Sequence, residues 1–338
     1  MKRFAVTIIC FLGIPVLLLV LVFCVTDPYR TLHKFDPIDV CDGILREYES
    51  TELFLRNNQE QHYNAFFFAS SKANAISTYL WKNLIGEDVR PFLFQAWSED
   101  VEGIWQKVKF VDRMGNEMEY VLLLLDPTSF PPTIDRSSIV HLRHPLLSGQ
   151  SRLEFELDVF KNFIQKPSEW VRSIREYCNR EKRPLTCDTI TNDVSSDYAE
   201  IWDSDLKQDS LNHCARLVRE NFIENANHLD DRNIHVGDPR ITEKYESYLR
   251  QIKSILDAHH THYKILITPS YIYKNDLFNP KDLNLLNAIF GSNNVYNYLQ
   301  KNEFTTDYNY YSDPDHPGLL AGTLILKDIY SINDSLRE

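Results

Sequence analysis

The segment Ala65-Phe-Phe-Phe-Ala-Ser-Ser-Lys72 is an apolar run of strand length that ends in two hydroxyl side chains. A continuous apolar run of this length predicts a strand buried on both faces of a sheet. Residues 72–84 follow with apolar side chains at helical spacing, which predicts a helix directly after the strand. A strand that leads into a helix is the basic unit of a parallel α/β sheet.

Four further apolar runs of strand length occur along the chain, and stretches with helical spacing separate them. The predicted strands are Pro91–Gln95, Tyr120–Leu125, Lys264–Thr268 and Asn294–Leu299. The predicted helices cover residues 98–111, a stretch beginning at Asp238-Pro239, and residues 281–290. This alternation predicts an α/β fold, a three-layer α/β/α sandwich around a parallel sheet.

Residues from about 155 to 234 do not follow this alternation. Amphipathic segments at 157–164, 169–177 and 211–222 are separated there by polar stretches rich in Asp and Asn. We therefore expect a mostly helical insertion between the third and fourth strands, and it could cover a site at the edge of the sheet.

The N-terminal segment differs from the rest of the chain. Lys2 and Arg3 precede an uncharged run, residues 4–26, which matches the roughly 20 residues needed to cross a bilayer. The flanking charges predict a cytoplasmic tip at residues 1–3, a transmembrane anchor at 4–26 and a C-terminal part outside the cytoplasm, periplasmic or extracellular. A cleaved signal peptide is the alternative, although no Ala-x-Ala site follows. Residues 27–60, interrupted by prolines, are interpreted as a juxtamembrane linker, and residues 61–338 as the globular domain.

Composition narrows the possible partners. A net charge of −12 and a pI near 5.4, without a basic cluster, argue against a nucleic-acid partner. None of the six cysteines has metal-ligand spacing, so we expect neither a metal nor another cofactor. Cys178 and Cys187 could close a short disulfide loop, and free buried thiols are the alternative.

Reactive side chains in a parallel α/β sheet collect at the carboxyl ends of the strands. Ser71 follows the first strand, and the stretch Tyr311-Ser-Asp-Pro-Asp-His-Pro-Gly318 follows the fifth. Asp313 precedes His316 by three residues, a spacing that lets a carboxylate orient an imidazole; Asp315 is a rival for that role. The alternative is structural, because serines at such positions often cap a helix and an aspartate can form an Asx turn.

Two motifs make the chain resemble the SGNH (GDSL-like) hydrolase superfamily. They are Ala69-Ser-Ser-Lys72 after an apolar strand and Asp313-Pro-Asp-His316 near the C-terminus. The first is similar to the Gly-Ser-Ser-Arg motif of membrane-anchored members that often accompany cell-surface polysaccharide assembly. The resemblance covers residues 62–130 and 263–330, and it includes Gln95-Ala-Trp-Ser-Glu-Asp100 in the second block and Leu123-Leu-Leu-Asp-Pro127 at the third strand.

The resemblance implies a flavodoxin-like sheet and a catalytic triad of Ser71 as nucleophile, His316 as general base and Asp313 as its orienting group. It also implies a serine esterase or O-acyltransferase that acts on a cell-surface glycan. Ala69 and Lys72 depart from the Gly and Arg of the family's first motif, and Ala96 stands where the second block usually has glycine.

Three residues are expected around this triad. Ala96 and Asn74 are weaker candidates for the oxyanion site, and Trp97 could line a sugar-binding cleft, although a core position is the commoner fate of an aromatic side chain. The departures from the family motifs also allow a second hypothesis. In that hypothesis the protein is a catalytically inactive glycan-binding or scaffold protein of a polysaccharide assembly or export complex.

Overall fold

The chain forms a parallel sheet with helices on both faces. The structure is a computed structural model that describes residues 2–33, 45–179, 187–193, 231–273, 275–311 and 314–331. Side chains of residues 2–10, 12, 233 and 331 lie outside that description. All paired strands run parallel, in the order β2-β1-β3-β4-β5. The strands are β1 (Ala65–Ala69), β2 (Pro91–Gln95), β3 (Tyr120–Leu125), β4 (His262–Ile267) and β5 (Val295–Asn297).

The structure confirms the α/β fold and the first three predicted strands. Strand β4 begins two residues before the predicted start, and β5 is shorter than predicted. The strand order is the doubly wound order 2-1-3-4-5, in which the chain crosses from one side of the sheet to the other next to β1. This crossover brings the carboxyl ends of β1, β3 and β4 side by side.

Helices cover both faces of the sheet, and each face has its own apolar core. The helices are α1 (Lys2–Thr26), α2 (Arg46–Gln61), α3 (Thr78–Ile85), α4 (Val101–Arg113), α5 (Pro145–Ser148), α6 (Arg152–Ile164), α7 (Pro167–Asn179), α8 (Glu243–Ala258), α9 (Pro280–Phe290), α10 (Glu303–Thr306) and α11 (Leu319–Ser331). One core contains side chains from α2, α4, α8 and α9. The other contains side chains from α3 and α11. The molecule therefore has three layers.

The single helix predicted over residues 72–84 is wrong. A short 3₁₀ helix, Ser71–Ala75, comes first, and α3 begins after a break at Ile76. Ser77 causes the restart, because its hydroxyl accepts a hydrogen bond from the N–H of Leu80 at 3.4 Å and so caps α3. Helical spacing continues through both pieces and cannot reveal such a break.

Two further predictions about helices are corrected. The helix expected to begin at Asp238-Pro239 begins at Glu243, where the hydroxyl of Thr242 accepts from the N–H of Tyr245. Part of the predicted linker is helical, since α2 packs its fully buried Leu53 and Phe54 into the core beside the sheet. The sequence of α2 is mostly polar, so hydrophobic spacing did not reveal it.

The N-terminal helix α1 extends from Lys2 to Thr26. Within the part of the chain that the structure describes, no helix has the length and apolar character needed to cross a bilayer. Near the end of α1, Phe23 packs against Phe160 and Phe163 of α6, with ring centroids 5.1 and 5.4 Å apart. The membrane anchor stays a prediction.

The predicted insertion is described only in part. Helices α6 and α7 are longer than predicted and pack in a third apolar cluster with residues from α1 and α2. The helix expected at residues 211–222 lies outside the described residues. The proposed disulfide between Cys178 and Cys187 is wrong, because Cys178 is free and Cys187 is bonded to another cysteine.

Candidate active site

The structure brings together the serine and the histidine that sequence analysis selected. Ser71 Oγ lies 2.8 Å from His316 Nε2, although 245 positions separate the two residues. Both side chains are half-buried. This distance is within the range required for a base to take a proton from a nucleophile.

The turn after β1 leaves the hydroxyl of Ser71 available. Ser70, and not Ser71, caps the 3₁₀ helix, since its hydroxyl accepts from the N–H of Lys72 at 3.5 Å. Ser71 is the first residue of that helix, and its hydroxyl meets the imidazole. The structural interpretation, in which a serine after the strand caps the helix, therefore applies to Ser70 and not to Ser71.

The loop that carries His316 is held on the segment after β4. The carbonyl of Pro314 accepts hydrogen bonds from the N–H of Tyr271 at 3.0 Å and from Asn275 Nδ2 at 2.9 Å. Tyr311 and Pro317 form an isolated bridge across the loop. These contacts fix the backbone on both sides of His316 before α11 begins.

A close helix contact holds the two halves of the site together. Gly322 of α11 lies directly against the carbonyl group of Ala75 at the end of the 3₁₀ helix, and a Cβ at position 322 would overlap that carbonyl. The helix that follows His316 thus packs on the helix that begins with Ser71. Only glycine allows this approach without a backbone shift.

Lys72 forms a buried polar cluster beside Ser71 at the carboxyl edge of the sheet. Its Nζ lies 2.9 Å from Asp126 Oδ2 and donates to Ser270 Oγ at 2.8 Å. Burial raises the pKa of Asp126, but the Lys72 ammonium and the hydrogen bonds from Thr128 outweigh it, so the pKa lies below its ordinary value. One member of the cluster follows each of strands β1, β3 and β4, and the cluster therefore joins the ends of these strands.

Asn74 is held by a second polar chain. Its Oδ1 accepts from Gln95 Nε2 at 2.6 Å, and Gln95 Oε1 in turn accepts from Arg46 Nε at 3.3 Å. Gln95 and Arg46 are buried, whereas Asn74 is exposed. Residues three apart on a 3₁₀ helix project from the same side, so Asn74 and Ser71 share one face.

The backbone of the second block is occupied by sheet pairing. The N–H of Ala96 donates to the carbonyl of Ala69 at 3.3 Å, so it is engaged in the extension of the β1–β2 ladder. The positive φ in this block belongs to Ser98, at 49°. Trp97 is half-buried at the same edge of the sheet.

The two acids at the end of the second block have a structural role. Glu99 pairs with the buried Lys107, and Asp100 caps α4 by accepting from the N–H of Gly103 at 2.8 Å. Asp100 also pairs with Arg143. These buried ion pairs fix the block to α4 and leave neither acid available as a catalytic base.

Asp313, the predicted orienting residue, lies outside the described residues. Close to His316 there is a cluster of tyrosines that sequence analysis did not select: Tyr271, Tyr273, Tyr308, Tyr310 and Tyr311. Their signal was present in the sequence as three tyrosines shortly before Asp313 and two after the fourth predicted strand, but their meeting depends on the return of the chain to the end of β4.

Asp126 and Ser270 follow strands β3 and β4, but the sequence pattern did not pair them with Lys72. Among the residues that the structure describes, no group of three or more His, Cys, Asp and Glu side chains could hold a metal ion. Neither the models of known protein families nor the curated proteins gave a match to this chain. A function for this chain therefore has to be inferred from the site itself.

Proposed function

We propose that this chain is a membrane-anchored, extracytoplasmic serine esterase or O-acyltransferase of the SGNH type, acting on ester groups of a cell-surface glycan. The contact of 2.8 Å between Ser71 Oγ and His316 Nε2 is the observation that carries the proposal. The position of both residues beyond the carboxyl ends of parallel strands supports it, because this is where such sheets bind their substrates.

The proposed reaction has two steps. Ser71 Oγ attacks the ester carbonyl and gives its proton to His316 Nε2, and the resulting imidazolium protonates the departing alcohol. The acyl group then remains on Ser71. Water or a sugar hydroxyl attacks this acyl-enzyme while His316 takes its proton, and Ser71 recovers a proton from His316 as the acyl group leaves.

Asn74 is the better of the two candidate oxyanion donors. Its Oδ1 accepts a hydrogen bond from Gln95, and its Nδ2 lies on the other side of the amide group. The Asn74 side chain is exposed. Ala96 is the poorer candidate because its N–H already donates to Ala69. A fixed donor at the developing oxyanion is a large term in acyl transfer, since it needs no reorganisation during the reaction.

A glycan substrate is supported by the motif resemblance and by the half-buried Tyr273, Tyr308 and Tyr310 of the tyrosine cluster. Tyr271 and Tyr311 of the same cluster are buried. Tyrosine offers an apolar ring face together with a hydroxyl that can hydrogen-bond, a combination suited to sugars. The membrane anchor and the extracytoplasmic location are supported by the uncharged run at residues 4–26 with Lys2 and Arg3 before it.

The test is labelling of the purified full-length chain by a serine-reactive fluorophosphonate probe. We expect Ser71→Ala to abolish labelling and His316→Gln to slow it roughly 10²- to 10⁴-fold, the usual contribution of a general base. Ser70→Ala is the matched control, because it removes the neighbouring hydroxyl that caps the 3₁₀ helix and should leave labelling intact.

Two results would contradict the proposal. Labelling that persists in Ser71→Ala would remove this residue as nucleophile, and an unlabelled wild-type chain that also fails to hydrolyse aryl acetates would argue against an enzyme. The second result would favour a catalytically inactive glycan-binding or scaffold protein. The engaged N–H of Ala96 is the observation that favours this second candidate, because it removes one expected oxyanion donor.

A further inference from the structure

A cavity of about 410 Å³ opens at the other end of the sheet, where β3 and β4 begin. The ends of α3 and α11 form part of its wall, with residues such as Ile85 and Tyr330. Its volume lies at the lower end of the range for small-molecule sites. The cavity shares no lining residue with the Ser71 site, so it requires a separate explanation.

The charge in this cavity comes from a half-buried lysine, Lys264 of β4. Its Nζ donates to the hydroxyl of Tyr296 at 2.8 Å and lies 4.6 and 4.8 Å from the ring centroids of Tyr296 and Tyr330. No carboxylate of the described residues pairs with it, and none lines the cavity. An ammonium has three donor hydrogens, so donors remain for a ligand.

A second polar group on the cavity wall has no partner. Thr261 is only 9% exposed, and its buried hydroxyl forms no hydrogen bond. A buried hydroxyl without a partner costs free energy. The hydroxyl is closed to solvent, so the donors that a ligand can reach are those of the Lys264 ammonium, and a ligand oxygen with negative charge would accept from them.

The aromatic side chains on the other walls of the cavity are suited to contact a ring-shaped ligand. Tyr296 and Tyr330 expose aromatic faces to the lysine, and at the mouth His262 stacks on Tyr120 with centroids 5.6 Å apart. Aromatic faces provide apolar contact area for a flat or ring-shaped body. The whole chain carries a net charge of −12, so an acid-free cavity with a lysine is a local exception that would attract an anion.

We propose that this cavity binds an anionic sugar, a pyranose ring with a carboxylate or phosphate group directed at Lys264. The ring would stack on the tyrosines, and its charged group would accept from the ammonium. The proposal is independent of the chemistry at Ser71. A uronic acid and a sugar phosphate share the required chemistry, and titration with each separates the two sources.

The experiment is calorimetric titration of the purified full-length chain with glucuronate, glucose 6-phosphate and glucose. We expect at least one of the two anions to bind at least about tenfold more tightly than neutral glucose, because hydrogen bonds to charged groups are the stronger ones. If only glucuronate binds, the cavity recognises a sugar carboxylate. If only glucose 6-phosphate binds, the cavity recognises a sugar phosphate. If neither anion binds, or if glucose binds equally well, the proposal is wrong.

Variants test the location of binding. Lys264→Met keeps the length of the side chain without the charge, and we expect it to weaken anion binding at least about tenfold. Lys109→Met is the matched control, because Lys109 also lies over an aromatic ring, that of Trp105 at 4.3 Å, but outside the cavity. Binding that survives Lys264→Met would overturn the proposal.

A second variant covers the case in which Lys264→Met does not fold. Asn293 is exposed at the rim of the cavity, so Asn293→Asp adds a negative charge there without disturbing the core. We expect it to weaken anion binding several-fold and to leave glucose unaffected, because like charges repel. Unchanged anion binding in Asn293→Asp would count against the site.

Discussion

Two lysines at opposite ends of one sheet have different surroundings. At the carboxyl end Lys72 is buried, paired with Asp126 and hydrogen-bonded to Ser270. Toward the amino end Lys264 is half-buried, its ammonium contacts the hydroxyl of Tyr296 and two aromatic rings, and it has no acidic partner among the described residues. A neutralised lysine joins strands together, whereas an unneutralised one is able to bind an anion.

The ion pair with Asp126 also limits what Lys72 can do for Ser71. Because Asp126 cancels its charge and Ser270 takes another donor, Lys72 provides rigidity more than a positive field. The position next to Ser71 makes that rigidity relevant, since a nucleophile must be held to within about 0.5 Å of its productive position relative to its base. We therefore predict large stability effects at the carboxyl end and small ones at the Lys264 cavity.

The largest effect is expected for Asp126→Asn, which leaves Lys72 without its counter-charge. Removing one partner of a buried ion pair costs about 3–5 kcal/mol in the free energy of unfolding, because the other charge stays buried. Asparagine retains an oxygen that can accept from the N–H groups of Thr128 and Ser129, so the capping role of Asp126 is preserved. Denaturant titration measures the change.

Glu246→Gln is the control for Asp126→Asn. It breaks an exposed pair with Arg250 on α8, at 2.7 Å, and such a pair contributes about 0.3–0.5 kcal/mol. If Asp126→Asn were no more destabilising than this control, Lys72 and Asp126 would not form a buried ion pair whose breaking leaves an uncompensated charge.

A smaller loss is expected for Gly322→Ala. The new methyl group would overlap the carbonyl of Ala75, and α11 must move away from the 3₁₀ helix that begins at Ser71. Overpacking of this kind costs about 1–3 kcal/mol, and the same movement should separate Ser71 from His316 and slow fluorophosphonate labelling. Gly13→Ala is the control, since nothing lies within 4 Å of a Cβ there. Unchanged stability and labelling in Gly322→Ala would show that this contact does not hold the site together.

The pH dependence of stability should distinguish the two ends as well. The pKa of Asp126 is depressed in the folded state, so the stabilisation it provides is complete above the ordinary pKa of 3.8 and is lost as the pH falls through the lower folded value. The gap in unfolding free energy between wild type and Asp126→Asn should therefore narrow on acidification from about pH 6 to about pH 3. A gap that stays constant over this range would contradict the depressed pKa.

The part of the fold that sequence could predict is the part made of long apolar runs. Strands β1, β2 and β3 have the predicted bounds, because their residues are apolar except for Gln95 at the end of β2 and are buried on both faces except for Tyr120. Strand β4 was predicted to start at Lys264 because His262 and Tyr263, which lie at the sheet margin, do not continue the apolar run. The helix α2 was missed because its sequence is mostly polar and contains no long apolar run.

The site could be predicted only from the rule that reactive side chains collect at the carboxyl ends of parallel strands. Ser71 and His316 were selected because both follow strands, and their side chains meet. The hydrogen bond from Gln95 to Asn74 and the ion pair of Lys72 with Asp126 were not predicted, since they depend on the direction of individual side chains at the sheet edge. Lys264 was read as part of a strand, and only the packing around it reveals a cavity.

The smallest stability effect is expected for Lys264→Met. The substitution removes the ammonium, with its hydrogen bond to Tyr296 and its contacts with two aromatic rings. Cation–π contacts at exposed sites contribute about 0.5–1 kcal/mol to the free energy of unfolding. No buried charge is left without a partner, and the methionine side chain still fills the space, which limits the loss. The free energy of unfolding from denaturant titration, compared with that of Asp126→Asn, is the measurement. A loss as large as that of Asp126→Asn would mean that Lys264 has a structural role like that of Lys72, and the difference between the two ends of the sheet would disappear.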